Sequence, residues 1–242
     1  PDYWTGTNPD YGLTLSGQTS NTVALDIVTQ HLTQAQTHGV SSVTRFTDGN
    51  SNHTQAQPYT FKFKGVRFYV GQTYWFQKPY EVKNFGTSRT YYKPDGVITA
   101  LNNFVDQDKV QGRDDPSIWM QHYPFVYGSD NDRWWLDQND VGKTILPTDN
   151  GSSAYPGTET KYGTGDAVQA AALRKSKLAE ILSKTTNPVH FSGHGHSTVT
   201  NTYGGITDYS IGTPKGDNGC AYIVLCKQGV GFVECKKVNF SY

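Results

Sequence analysis

Residues Pro188-Val189-His190-Phe191-Ser192-Gly193-His194-Gly195-His196 (PVHFSGHGH) decide the reading of this chain. The opening Pro188–Phe191 has the length and apolar character of a short buried strand, and it breaks at once into a Gly/His turn. Ser117–Gln121 (SIWMQ) is a second short apolar run, and it ends at His122. In open α/β sheets, ligands bind outside the carboxyl ends of the strands. Two strand ends therefore bring His122, His194 and His196 toward one crevice edge. Imidazole nitrogen is a good ligand for zinc, iron and nickel, so the three form a candidate metal site. Gly193 and Gly195 allow a tight turn and close backbone approach. Two rim histidines in a glycine-rich turn would look the same in isolation; the third histidine at a second strand end raises the pattern above that.

Outward from these turns, the chain alternates helices and strands. Residues 22–38 place Ala24, Val28, His31 or Leu32, and Ala35 on one helical face, with Gly39 as the stop. His31 reads as a core-edge residue and His38 as a helix-dipole partner. Val40–Phe46 reads as a strand. Tyr59–Lys64 and Val66–Val70 alternate around Gly65 and predict a hairpin. Asp95 caps an expected helix over 96–109, with Val97, Ile98, Leu101, Phe104 and Val105 inward. A second helix runs from Asp166 to about Ser183, with Val168, Ala171, Leu178, Ile181 and Leu182 inward. His190 lies within its strand and is expected on a sheet face. Later strands are expected near 205–211, 220–226 and 230–236. The order predicts a layered α/β fold with an antiparallel extension. Residues 127–164, polar and Gly-rich around Trp134-Trp135, read as a functional loop.

The 242 residues allow one or two domains. Lys+Arg and Asp+Glu are both 21, which removes any long-range field toward nucleic acid or an anionic membrane. No apolar run is long enough for a transmembrane helix. Charged residues are 17%, below the roughly 25% usual for globular chains, with Gly, Tyr, Asn and Thr in their place. That profile resembles secreted β-rich proteins. Sequons at Asn52, Asn150 and Asn239 are glycosylation candidates and agree with an extracellular location. Cys220 and Cys235 fall on two runs around Gln228-Gly229, so a cross-strand disulfide is expected there, against an alternative of three reduced thiols.

Gln121-His122-Tyr123-Pro124-Phe125 at one strand end and Gly193-His194-Gly195-His196 after another resemble the last two motifs of the calcineurin-like metallophosphoesterases. The hairpin YTFKFKGVRFYVG resembles the strands after that family's GNH motif, and residues 204–235 resemble its closing strands. The resemblance covers roughly residues 47–236. It implies an α/β/β/α sandwich, with residues 1–46 as an N-terminal arm, helix and strand, and 47–242 as the C-terminal portion of the phosphoesterase-type domain. It also implies divalent metals, two in the family, such as zinc, iron or manganese. His122 and His194 then correspond to ligands of one metal and His196 to a ligand of the other. The GNH motif departs to Asp48-Gly49-Asn50-Ser51-Asn52-His53, so either Asn50 or Asn52 is the amide ligand, with His53 as the catalytic histidine. A glycan on Asn52 would exclude it as a ligand.

The family's upstream DxH and GD motifs supply the remaining carboxylates, and no DxH occurs before residue 47. Two expectations follow. The chain is a secreted phosphoesterase lacking its N-terminal ligand motifs and acting on a phosphate ester, with a second polypeptide supplying the missing half, or with self-association covering an exposed sheet edge. Otherwise it is a catalytically inactive extracellular glycoprotein that uses the fold as a structural or interaction module, holding one metal or none.

Overall fold

Pro116–Met120 (PSIWM) and Thr186–Ser192 (TNPVHFS) are central strands, and most of their residues are buried. Strands covered on both faces in a parallel sheet read as continuous apolar runs rather than as alternation, which is why these two stood out. The computed structural model describes residues 31–45, 58–71, 94–126, 135, 165–193, 198–212 and 220–239.

The elements, in chain order, are β1 (Val40–Arg45), β2 (Tyr59–Phe63), β3 (Val66–Val70), α1 (Pro94–Val110), β4 (Pro116–Met120), α2 (Gly165–Ser183), β5 (Thr186–Ser192), β6 (Val199–Tyr203), β7 (Ile206–Ser210), β8 (Cys220–Lys227) and β9 (Gly231–Asn239). Seven strands form one mixed sheet in the order β1-β2-β3-β4-β5-β7-β6. β3, β4, β5 and β7 run parallel, while β1-β2-β3 and β6-β7 are antiparallel. β8 and β9 form a separate two-stranded sheet. The chain is thus a mixed α/β sandwich, as its alternation of patterns predicts.

Successive parallel crossovers of one hand deliver α1 and α2 to the same sheet face. There, Val97, Ile98, Leu101, Phe104 and Val105 of α1 and Leu178, Ile181 and Leu182 of α2 pack with Tyr69, Trp119 and Ile206. The opposite face, with Val66, Ile118 and Val189, is covered by the β8–β9 hairpin through Val224, Cys226 and Phe232. Gly231 allows this close approach. Its φ is +91°, and a Cβ at that position would overlap the Pro116 ring at the start of β4.

A buried charge cluster closes the amino-terminal end of the sheet. Arg67 on β3 donates Nε and Nη2 to Asp108 of α1 at 2.7 and 2.9 Å, and Tyr69 Oη donates to the same carboxylate at 2.7 Å. α1 ends in a Schellman motif, with Gly112 N–H on Lys109 O and Arg113 N–H on Asp108 O. That turn brings Arg113 Nε within 2.8 Å of Asp108 Oδ1. Burial and the adjacent Asp108 hold the Tyr69 phenol well above its usual pKa.

Several expectations are corrected. Asp95 lies inside the first turn, because α1 starts at Pro94, where proline gives up only an N–H that has no helical partner. His31 is exposed rather than at the core edge, while the helix over residues 31–37 does stop at Gly39, whose φ is +95°. β6 was not foreseen. The Cys220–Cys235 disulfide does not form. In the hairpin register Cys220 faces Asn239 and Cys235 faces Val224, and all three cysteines are free. Four residues of strand separate the two cysteines, about 13 Å, far beyond disulfide reach.

Candidate functional site

The carboxyl ends of the parallel strands are knitted by backbone bonds that continue past the strands themselves. Gly71 N–H donates to Met120 O at 2.8 Å, Gln121 N–H to Phe191 O at 3.1 Å, and Ile211 N–H to Ser192 O at 2.9 Å. Gly193 N–H donates to His122 O at 3.0 Å. His122 and Gly193, the first residue of the GHGH motif, are therefore backbone neighbours.

His122 is half-buried, its ring edge-on to Tyr123 at 5.0 Å and 65°. The loop behind it is anchored side chain by side chain. Gln121 Nε2 donates to Tyr123 O at 2.7 Å, Trp135 Nε1 to Pro124 O at 3.1 Å, and Asn201 Nδ2 to Val126 O at 3.2 Å. Tyr123, Phe125 and Trp135 are fully buried, and Phe125 stacks on Trp135 at 5.6 Å. Arg174 of α2 donates to Trp135 O at 2.8 Å, which ties this floor to the helix layer.

Beneath the rim lies a polar cluster. His190 on β5 and Asp208 on β7 are register partners. Asp208 Oδ1 accepts from His190 Nδ1 and from Ser192 Oγ, each at 2.8 Å, and Oδ2 accepts from Phe125 N–H at 2.9 Å. Burial of a carboxylate is costly unless its lone pairs are used, and three donors use them here. His190 Nε2 is buried without a hydrogen-bond partner among the described residues. Its ring lies 4.7 Å from Phe125. His190 does sit on a sheet face, as expected.

Of the candidate metal ligands, His122 is described, whereas Asn50, Asn52, His194, His196 and the candidate catalytic His53 lie outside the described residues. The glycosylation candidates Asn52 and Asn150 also lie outside them; Asn239 is exposed at the end of β9. Among the described residues no three His, Cys, Asp or Glu side chains gather as a metal cluster. Thr198, just beyond the 194–197 segment, is bonded by Oγ1 from Gly212 N–H at 3.1 Å. Both flanks of that segment are thus fixed at the carboxyl edge. Asp208 was missed by the sequence reading; an acid on the buried period of Ile206, Asp208 and Ser210 was the available signal.

No protein-family model and no curated protein matches the chain. Among solved structures three chains match. One is a candidate 5'-nucleotidase from Staphylococcus aureus in complex with alpha-ketoglutarate, 13% identical, with a TM-score of 0.34. The alignment covers 82% of this chain and 29% of that one, so this chain spans under a third of that protein's length. A likeness of that grade carries no argument about the site. Among the described residues, no helix is long and apolar enough to cross a membrane.

Proposed function

We propose that the chain is a secreted, metal-dependent phosphoesterase domain that hydrolyses a phosphate ester with metal-activated water. The observation that supports it is the 3.0 Å bond from Gly193 N–H to His122 O. That contact favours a common crevice for the two imidazole-bearing turns, at the sheet edge where α/β proteins bind ligands.

His122, His194 and His196, with Asn50 or Asn52, would hold the metal. Imidazole and amide donors suit zinc, iron or manganese, and the half-buried His122 at the rim fits such a role. A bound metal supplies an acidified water and draws charge from a phosphoryl oxygen. His53 gives a proton to the leaving oxygen. The buried aromatic floor of Tyr123, Phe125 and Trp135 keeps the His122 loop from relaxing into solvent. The motifs that supply the other carboxylates would come from a second polypeptide. The exposed Asn239 is compatible with a glycan and so with secretion.

A second reading, an inactive extracellular interaction module, is favoured by the outer face of the β8–β9 hairpin. Ile223, Leu225 and Val233 there are 61%, 50% and 48% exposed. Exposed apolar side chains facing Lys236 and Glu234 across the hairpin suit an interface of mixed character.

The deciding experiment measures metal content after incubation with manganese or zinc, for the wild type, His122→Ala and His194→Ala, together with hydrolysis of a generic aryl phosphate. The phosphoesterase reading expects metal loss in both variants and metal-dependent turnover in the wild type. Equal metal content in all three proteins rejects the metal site. Metal binding without turnover, even with a partner carrying DxH and GD motifs, selects the module.

A further inference from the structure

We propose that Asp208 is a positioning residue that sets the spacing between the segment bearing His122 and Gly193 at the end of β5. The consequence for metal binding rests on the phosphoesterase reading; the spacing itself rests on geometry alone.

Asp208 is 1% exposed, and its two oxygens serve two different segments. Oδ1 takes Ser192 Oγ and His190 Nδ1 from β5, the strand that leads directly into Gly193. Oδ2 takes the N–H of Phe125, three residues after His122. The Gly193 N–H to His122 O bond closes the circuit on the other side. One carboxylate thus completes a ring running from His122 through Phe125, Asp208, Ser192 and Gly193 back to His122. A buried carboxylate that served only to balance a charge would need one partner. Here its acceptor sites are divided between β5, which runs into Gly193, and the segment that follows His122, and each donor is a group that would otherwise be buried unsatisfied.

The division makes a sharp variant available. Asparagine has nearly the same shape, but one of its two terminal atoms donates and cannot accept. In Asp208→Asn the amide oxygen can serve either the β5 donors or Phe125 N–H, and the NH2 group opposes the other. With the oxygen on Phe125, the β5 arm survives only if Ser192 Oγ and His190 Nδ1 both turn acceptor, which moves the imidazole proton to Nε2, a buried atom without a hydrogen-bond partner among the described residues, so the ring is weakened in either orientation. Ser192→Ala is the milder cut. It removes one arm and leaves the carboxylate on His190 and Phe125.

Amide hydrogen exchange of the whole, metal-free chain reads the spacing. The decisive probe is Gly193 N–H, whose bond to His122 O does not involve Asp208 directly. In Asp208→Asn its protection is expected to fall at least tenfold relative to wild type, and about threefold in Ser192→Ala, which answers the question if the first variant does not fold. Unchanged protection at Gly193 in a folded variant overturns the proposal. A Co2+ titration reads the consequence. Loss of an outer-shell partner typically weakens metal binding about 10- to 100-fold. That weakening, with an altered visible spectrum, is expected for Asp208→Asn, whereas wild-type affinity and spectrum overturn its positioning role. If wild type and His122→Ala take up Co2+ alike, the metal reading fails, and the exchange of Gly193 still decides the spacing.

Discussion

Arg67 and Asp108 form a two-pronged ion pair between β3 and α1, with Nε to Oδ2 at 2.7 Å and Nη2 to Oδ1 at 2.9 Å. Both side chains are at most 5% exposed. Breaking a buried pair from one side leaves an uncompensated charge, which costs about 3–5 kcal/mol. Asp108→Ala strands Arg67, frees Tyr69 Oη and removes the charge opposite Arg113. We expect its unfolding free energy, measured by urea titration, to fall by an amount in that range. A loss below about 1 kcal/mol would show that water reaches the cluster and screens it.

Tyr69 makes the alkaline limit of the fold predictable. Its folded pKa lies above the ordinary 10.0, chiefly through burial and then through Asp108. The folded chain therefore keeps a proton that the unfolded chain releases above pH 10. Stability from this group is complete below that pH and is lost as pH rises toward the folded value. Tyr69→Phe should lower stability near neutrality by about 1–2 kcal/mol, through the lost bond to Asp108. It should also flatten the decline above pH 10. Denaturant titrations at pH 7, 9.5 and 11 would show an unchanged slope if the phenol were not involved.

Thiol counting tests the hairpin register. Three free cysteines are expected per chain in denaturant without reductant. Burial pushes the Cys226 and Cys235 thiols up in pKa, so alkylation of the native protein at neutral pH should be slow at both. A count of one thiol would contradict the pairing of Cys220 with Asn239 and of Cys235 with Val224.

Gly231→Ala examines how the second β layer is seated. The φ of +91° strains any residue with a Cβ, and that Cβ would overlap Pro116. A loss of about 1–3 kcal/mol is expected. The double variant Gly231→Ala with Pro116→Ala should recover the steric part and leave the backbone part. Equal losses in the single and double variants would place the whole cost in φ.

Much of this architecture was legible because its signals are local. Tyr59–Phe63 and Val66–Val70 alternate around a turn whose Lys64 and Gly65 both take positive φ, and they pair in the expected hairpin. α1 shows its buried face at every expected position from Val97 to Val105. β6 was illegible because Val199–Tyr203 has no apolar alternation; its place comes from pairing with β7. The cysteine register was misread because the hairpin turns about Gly229, with Lys227 facing Gly231; even without the one-residue bulge at Val233, Cys220 would face Val238 and not Cys235. At the site, the approach of His122 to Gly193 follows from two adjacent parallel strands and could be read from their sequences. Asp208 could not. Its donor at Phe125 lies 83 residues away, and only the folded sheet brings them together.

The two poles of the parallel sheet have been given different tasks. Arg67, Asp108, Arg113 and the Lys62–Asp115 pair gather at the amino-terminal pole, and His122, Gly193 and Asp208 at the other. Strands five to seven residues long insulate one from the other. Such a division lets descendants of this chain remodel or abandon the chemistry of one pole while inheriting the rigidity of the opposite one intact.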